Sequence, residues 1–104
     1  MNELTAQQVF GRLNDAQIVD VRETEELTAG TISGARHIPL SEIHGSTGLL
    51  DKSRPVIAVC RSGRRSAAAA EQLAAAGFTA YTMAGGMIEW TGAGLPMTVP
   101  NAPH

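Results

Sequence analysis

The sequence predicts a small α/β domain, a parallel β-sheet flanked by helices on both faces. Short runs of strand character recur at 18–21, 35–38, 56–59 and 78–83, the first rich in β-branched residues. Stretches with helix-capping or alanine-rich character alternate with them. The chain has 104 residues and 43% apolar content, enough for one core but not for two, so residues 1–104 are expected to form a single domain. In such sheets ligands bind beyond the carboxyl ends of the strands.

Taken in order, Thr5-Ala6-Gln7-Gln8 has the form of a capping box ahead of apolar Val9, Phe10 and Leu13, which predicts an amphipathic helix over 5–13 closed by Asn14-Asp15. Residues 18–21, Ile-Val-Asp-Val, read as a strand, and 24–29 as a helical turn or two ending at Gly30. A second strand at 35–38 is halted by Pro39. Residues 41–54 are polar and weakly patterned, a connection with one helical turn around 41–44. Pro55 opens a central strand running through Val59; alanine content makes 66–76 a helix, with Gly77 just beyond its end. A strand at 78–83, a turn at Gly85-Gly86 and a short helix over 87–91 follow. The tail from Pro96, with three prolines, is expected to lie extended along the surface, residues 97–104 above all.

The chemistry concentrates in Cys60-Arg61-Ser62-Gly63-Arg64-Arg65-Ser66, which sets the only cysteine at the end of an apolar strand and about one turn before a helix. Amides in such a loop lack intrahelical partners and can converge on an anion held at the sulfur. The helix N-terminus and Arg61, Arg64 and Arg65 also favour the thiolate, the nucleophilic form. A fall in pKa from about 8.5 to about 6.5 would raise the thiolate fraction at pH 7 from roughly 3% to roughly 75%. A lone cysteine after an apolar strand is most often an inert core residue. The arginines argue otherwise, because three cations beside a thiol repel one another unless an anion sits among them. Cys60 is therefore expected near the surface.

Composition narrows the alternatives. A net charge of −2 argues against general affinity for nucleic acid or anionic membranes, although three of the eight basic residues lie in the Cys60 loop. One cysteine excludes an intrachain disulfide and a multi-cysteine zinc site. The polar start, Met1-Asn2-Glu3-Leu4-Thr5, has no apolar signal core, and no run approaches the roughly 18 apolar residues of a membrane span. A cytoplasmic protein without metal or organic cofactor is expected. Met83, Met87 and Met97 read as core fillers, and His37 and His44 receive no role. Gly85-Gly86 reads as a tight turn, since no Lys-Ser or Lys-Thr follows as in a phosphate loop. Of the acidic residues Asp15, Asp20, Glu23, Glu25 and Glu26, only Asp20, inside an apolar strand, is expected to be held by specific hydrogen bonds.

Four blocks, in order, cover nearly the whole chain: Asp20-Val21-Arg22-Glu23; Gly30-Thr31-Ile32-Ser33-Gly34-Ala35 running on to Ile38-Pro39; the Cys60–Ser66 loop; and Ala84-Gly85-Gly86-Met87-Ile88-Glu89-Trp90 continuing to Ala93-Gly94-Leu95-Pro96. In these the chain resembles a single-domain rhodanese, a sulfurtransferase. The first two blocks are weak singly; the cysteine loop together with Gly-Gly-x-x-x-Trp is specific. The resemblance implies a rhodanese-like fold and a persulfide on Cys60, which takes sulfane sulfur from a donor such as thiosulfate and passes it to cyanide or a thiol. By the same similarity residues 60–65 form the loop, with Ser62 and Gly63 lending amides, Arg61 and Arg65 binding the anionic donor, and Arg64 contributing field or specificity. Asp20 and Arg22 would support the loop from beneath, with Ser66 at its end and Trp90 packing the closing helix. The chain departs from the family's frequent Gly-His-Ile-Pro-Gly-Ala at Thr31 and Ser33, and has His37 where Asn is frequent; the block is read as structural.

Loop length separates neighbouring chemistries. Tyrosine and dual-specificity phosphatases place five residues between Cys and Arg, whereas here Arg65 is the fifth residue after Cys60 and Ser66 the sixth. The tighter ring suits one sulfur atom better than phosphate oxygens, and the loop holds no Asp as a leaving-group acid, which disfavours phosphatase or arsenate reductase activity. With no second cysteine, an external thiol, cyanide or a sulfur-accepting protein must discharge a persulfide. A non-enzymatic sulfur carrier or sensor is the alternative of another class.

Overall fold

The structure, a computed structural model, describes residues 2–99. Five strands, β1 (Asn2–Leu4), β2 (Gln17–Asp20), β3 (Arg36–His37), β4 (Val56–Val59) and β5 (Ala80–Met83), form one sheet in the order β1-β5-β4-β2-β3. Every pairing is parallel. Among the described residues three α-helices lie in the connections, α1 (Ala6–Phe10), α2 (Ile43–Ser46) and α3 (Arg64–Ala75), and a fourth, α4 (Gly86–Gly92), follows β5.

The central strand explains the layering. All four residues of β4 are buried and apolar, as expected of a parallel strand covered on both faces. Val56, Ala58 and Cys60 pack with Ala69, Ala70 and Leu73 of α3 and Ile43 of α2. Ile57 and Val59 point the other way, into a second cluster with Val9 of α1 and Met87 and Trp90 of α4. Alternation along one strand thus creates two cores, one under each helical layer. Trp90 is fully buried, takes Phe10 edge-on at 6.1 Å between centroids, and donates its Nε1 proton to the Pro96 carbonyl at 2.9 Å.

Several boundaries differ from expectation, each for a local reason. Strand β1 had no signal in the polar Asn2-Glu3-Leu4; it exists because β5 offers an open edge, in register Asn2 to Tyr81 and Leu4 to Met83. The capping box at Thr5 and Gln8 forms as read, but α1 stops at Phe10, where Gly11 caps it. Helix α3 begins at Arg64, not Ser66, because Gly63 takes the N-cap with φ +105°. The connection after β3 is more helical than expected: 3₁₀ turns at Leu40–Glu42 and Thr47–Leu49 flank α2, drawn inward by buried Ile43. The 24–29 segment is a 3₁₀-helix, Thr24–Ala29. The tail is tied down as far as it is described, because Thr98 and Thr31 exchange both backbone hydrogen bonds at 2.8 Å. The rest of the expected extended tail, 100–104, lies outside the described residues.

Candidate active site

Cys60 follows the last residue of β4, at the carboxyl edge of the sheet, where the chain turns towards the N-terminus of α3. Gly63 makes that turn possible. Its left-handed backbone brings its own N–H to 3.0 Å from the Cys60 sulfur and starts the helix on the next residue. The Ser66 hydroxyl, one turn into α3, lies 3.4 Å from the same sulfur. Burial pushes the Cys60 thiol up, while the Ser66 hydroxyl and the amides of Ser66, Gly63 and Ser62 pull it down. The hydrogen bonds prevail, and the thiol titrates below the ordinary cysteine range.

The expectation of a cysteine near the surface is corrected: Cys60 is only 1% exposed. The main chain nevertheless faces the sulfur, and the loop residues Arg61, Ser62 and Arg64 are themselves exposed. Cys60 thus belongs to the core on the α3 side of the sheet, with the Gly63 amide turned to its sulfur.

Helix α4 braces the loop from the opposite side. Its first amides, Met87 and Ile88, donate to the carbonyls of Cys60 at 2.8 Å and Arg61 at 3.1 Å. Only a residue without a side chain allows this approach, since a Cβ on Gly86 (φ +59°) would collide with both carbonyls. The Gly85-Gly86 pair is a turn, as read, and it also sets α4 against the Cys60 loop.

A second polar cluster supports β2. Asp20 accepts from the Arg22 amide and from its guanidinium, with Nη2 to Oδ2 at 2.8 Å, and both residues are buried. Arg22 also donates to the carbonyls of Gly30 and Glu26. Thr31, one of the positions departing from the family's frequent pattern, fills a lone pair of Asp20 with its hydroxyl at 2.8 Å. His37 Nε2 donates to the Arg22 carbonyl at 2.7 Å, since a carbonyl can only accept.

The three loop arginines are not equivalent. Arg61 and Arg64 are exposed and make no ion pair among the described residues. Arg65 grips Glu26 with two bonds, at 2.6 and 2.7 Å. This corrects two readings: the loop cations need no bound anion to explain Arg65, and Glu26 is not part of a solvated acidic face. Sequence offered no signal for the pair. Met97 is likewise corrected; it is exposed rather than core and packs against Gly30. It joins Arg61, Met87, Ile88, Ala29 and Glu25 in lining a groove of about 620 Å³ beside the loop.

The rhodanese-like domain family matches this chain over residues 5–93. The chain belongs to the rhodanese-like family. A sulfurtransferase from Allochromatium vinosum is 33% identical, over 96% of this chain and 97% of that protein. The thiosulfate sulfurtransferase GlpE of Ectopseudomonas mendocina is 36% identical, over 76% of this chain and 73% of its own length. Among solved structures, a rhodanese-related protein from Thermoplasma volcanium superimposes with a TM-score of 0.90 at 29% identity, covering 95% of this chain and 99% of that one. The α/β architecture read from the sequence is therefore that of a rhodanese-like domain. Its cysteine loop, Asp20–Arg22 pair and Trp90 helix are brought to one end of one sheet. No group of three or more His, Cys, Asp or Glu residues that could hold a metal lies among the described residues, and no helix among them is long and apolar enough to cross a membrane. Sequence reasoning missed Glu26, Thr31 and Thr82. Thr31 left a trace as a departure from the family's frequent pattern, and Thr82 as a hydroxyl within a strand segment beside Ala80 and Met83.

Proposed function

We propose that this rhodanese-like domain is a sulfurtransferase that carries sulfane sulfur as a persulfide on Cys60. The observation that carries this reading is the set of donors aimed at one sulfur: the Gly63 amide at 3.0 Å, with the Ser66 hydroxyl and the Ser62 and Ser66 amides lowering the thiol's pKa. Those donors stabilise negative charge on a lone sulfur, which is what attack on a sulfur donor requires.

In the first stage the Cys60 thiolate attacks the outer sulfur of thiosulfate. A sulfur–sulfur bond forms to Cys60, the bond to the sulfonate breaks, and sulfite leaves with the electron pair. In the second stage an acceptor thiolate, or cyanide, attacks the terminal sulfur and Cys60 departs as the thiolate. Arg61 and Arg64, exposed and unpaired among the described residues, supply charge for the donor's anionic end. Arg65, tethered to Glu26, adds its field and fixes the first turn of α3. The Asp20–Arg22 pair, Ser66 and Trp90 hold the loop and the bracing helix in place.

The groove beside the loop favours a thiol-bearing acceptor over cyanide alone. Its volume falls in the range of small-molecule sites, and Met87, Ile88 and Met97 give it an apolar lining that cyanide does not need. A lone reactive thiol suits a reducing compartment such as the cytoplasm.

Intact-mass measurement tests the reading. Thiosulfate should add one sulfur atom to the protein and cyanide should remove it, while Cys60→Ser should gain nothing. A wild-type mass unchanged by thiosulfate and by organic persulfides would overturn the proposal. A sulfur adduct that survives cyanide and thiols would make the domain a carrier that delivers to one protein.

A further inference from the structure

The buried hydroxyls behind Cys60 form a chain whose proton count is constrained. Thr82 and Ser66 are 1% and 0% exposed, and their hydroxyl oxygens lie 2.6 Å apart. Among the described residues Ser66 is the one hydrogen-bond partner of the Thr82 hydroxyl. A buried hydroxyl proton left without an acceptor is costly, so Thr82 donates and Ser66 accepts. The single proton of Ser66 is then free for one of two acceptors, the Gly63 carbonyl at 3.2 Å or the Cys60 sulfur at 3.4 Å.

The two states of the sulfur use this freedom differently. A thiol can donate its S–H to Ser66, whose two lone pairs are then filled by Cys60 and Thr82 while its own proton goes to Gly63. A thiolate has nothing to donate, so Ser66 must turn its proton from the Gly63 carbonyl to the sulfur. Without the Thr82 proton, Ser66 would lose the bond that fixes its oxygen in place through that change. Register supports the arrangement: Thr82 of β5 pairs with Ala58 of β4, and Ala58 shares a face with Cys60 two residues on.

We propose that Thr82 is a positioning residue, holding the Ser66 hydroxyl so that its one proton is presented to Cys60 when the sulfur carries negative charge. The inference rests on the reading of Cys60 as a nucleophile. Of the loop's charged side chains, Arg65 interacts electrostatically with Cys60 while bound to Glu26 and facing Glu23, and Arg61 and Arg64 are exposed. The neighbouring elements contribute apolar groups to this side, Val19 from β2, Val21 just beyond it and Ile43 from α2, so Thr82 is the one polar side chain that β5 brings to it.

The test is the pH dependence of iodoacetamide alkylation of Cys60, which requires no sulfur donor. Thr82→Val keeps the shape and removes the hydroxyl; its alkylation midpoint should rise by about one pH unit, a tenfold change in thiolate stability. Thr82→Ser should restore the wild-type midpoint. In a Ser66→Ala background Thr82→Val should add no further shift, and this comparison decides the matter if the single valine variant folds poorly. A Thr82→Val midpoint equal to that of wild type, or an equal shift with and without Ser66, overturns the inference. A protein that shows the shift yet takes no sulfur from any donor would sink the sulfurtransferase reading while leaving the role of Thr82 intact.

Discussion

Arg65 and Glu26 clasp each other across 39 residues of sequence, Nη1 to Oε1 at 2.6 Å and Nη2 to Oε2 at 2.7 Å. The clasp joins the first turn of α3, where Cys60's loop ends, to the 3₁₀-helix Thr24–Ala29 that walls the groove. It also distinguishes the loop's cations, since Arg65 is held by Glu26 while Arg61 and Arg64 are exposed with no ion pair among the described residues.

The clasp makes stability pH-dependent in a defined window. The bond from Arg65 holds the Glu26 carboxyl down to about 2, against burial, from an unfolded value of 4.5. A depressed acid stabilises the fold fully above its unfolded pKa and loses that contribution as pH falls through the folded value. Between pH 5 and pH 2 wild type should therefore lose on the order of 1 kcal/mol more than Glu26→Gln, a figure reduced because the pair is about a third exposed. Urea midpoints of the two proteins across that range should converge at the acid end. Parallel curves would show that the clasp contributes nothing in solution.

If Arg61 meets the donor's anionic end, Arg61→Ala should raise KM for thiosulfate roughly tenfold with a much smaller change in kcat. Added salt should raise the wild-type KM and have less effect on the variant. Arg65→Ala should instead lower the unfolding midpoint. Steady-state kinetics beside thermal unfolding separate the two, and a KM defect confined to Arg65→Ala would reverse the assignment.

Cys60 should be alkylated with a midpoint below that of an ordinary cysteine, about 8.5, because the donors around it outweigh its burial. Cys60→Ser should abolish sulfur transfer while retaining the fold, since a hydroxyl there still meets the Gly63 amide and Ser66. Circular dichroism and thiosulfate:cyanide turnover together check this. Measurable turnover by the serine variant would place the chemistry elsewhere.

What was legible in the sequence was whatever is local. The strand at 56–59, the Thr5 capping box, the turn at Gly85-Gly86 and the loop after Cys60 are each written in a handful of adjacent residues. The parts not legible depend on partners distant in the chain. Strand β1 exists only because the β5 edge is open to it, and Glu26 looked like any exposed carboxylate until Arg65 arrived 39 residues later. Alanine content marks helix α3 only from Ser66, whereas the chain starts it at Arg64, where the left-handed Gly63 N-cap and the clasp on Arg65 hold the first turn. The burial of Cys60 also depends on residues distant in the chain, since it packs in one cluster with Val19, Val21 and Ile43.

Gly86→Ala tests the brace between α4 and the loop. The new methyl would strike the carbonyls of Cys60 and Arg61, both backbone atoms that cannot rotate away, on a residue whose φ of +59° already disfavours a side chain. Destabilisation of about 2–4 kcal/mol is expected, with a fall in alkylation rate at neutral pH as the loop amides shift. An unchanged melting temperature would mean that α4 can retreat without disturbing the loop.

The Asp20–Arg22 pair offers the sharpest contrast between removing one partner and removing both. Arg22→Met leaves the Asp20 carboxylate buried with only the Arg22 backbone amide and the Thr31 hydroxyl, and strands the Gly30 carbonyl that Nη2 had satisfied. A loss of about 3–5 kcal/mol is expected, the usual consequence of an uncompensated buried charge. Adding Asp20→Asn removes that charge, keeps an oxygen for the residue 22 amide, and lets the Thr31 hydroxyl turn to accept from the new NH2 group. The double variant should therefore recover part of the loss, so that the two single effects sum to more than the combined one. Chemical unfolding of the four proteins measures the coupling directly. Simple additivity would show that the two side chains act separately, and that the support beneath β2 comes from Thr31 and its backbone exchange with Thr98 rather than from the ion pair.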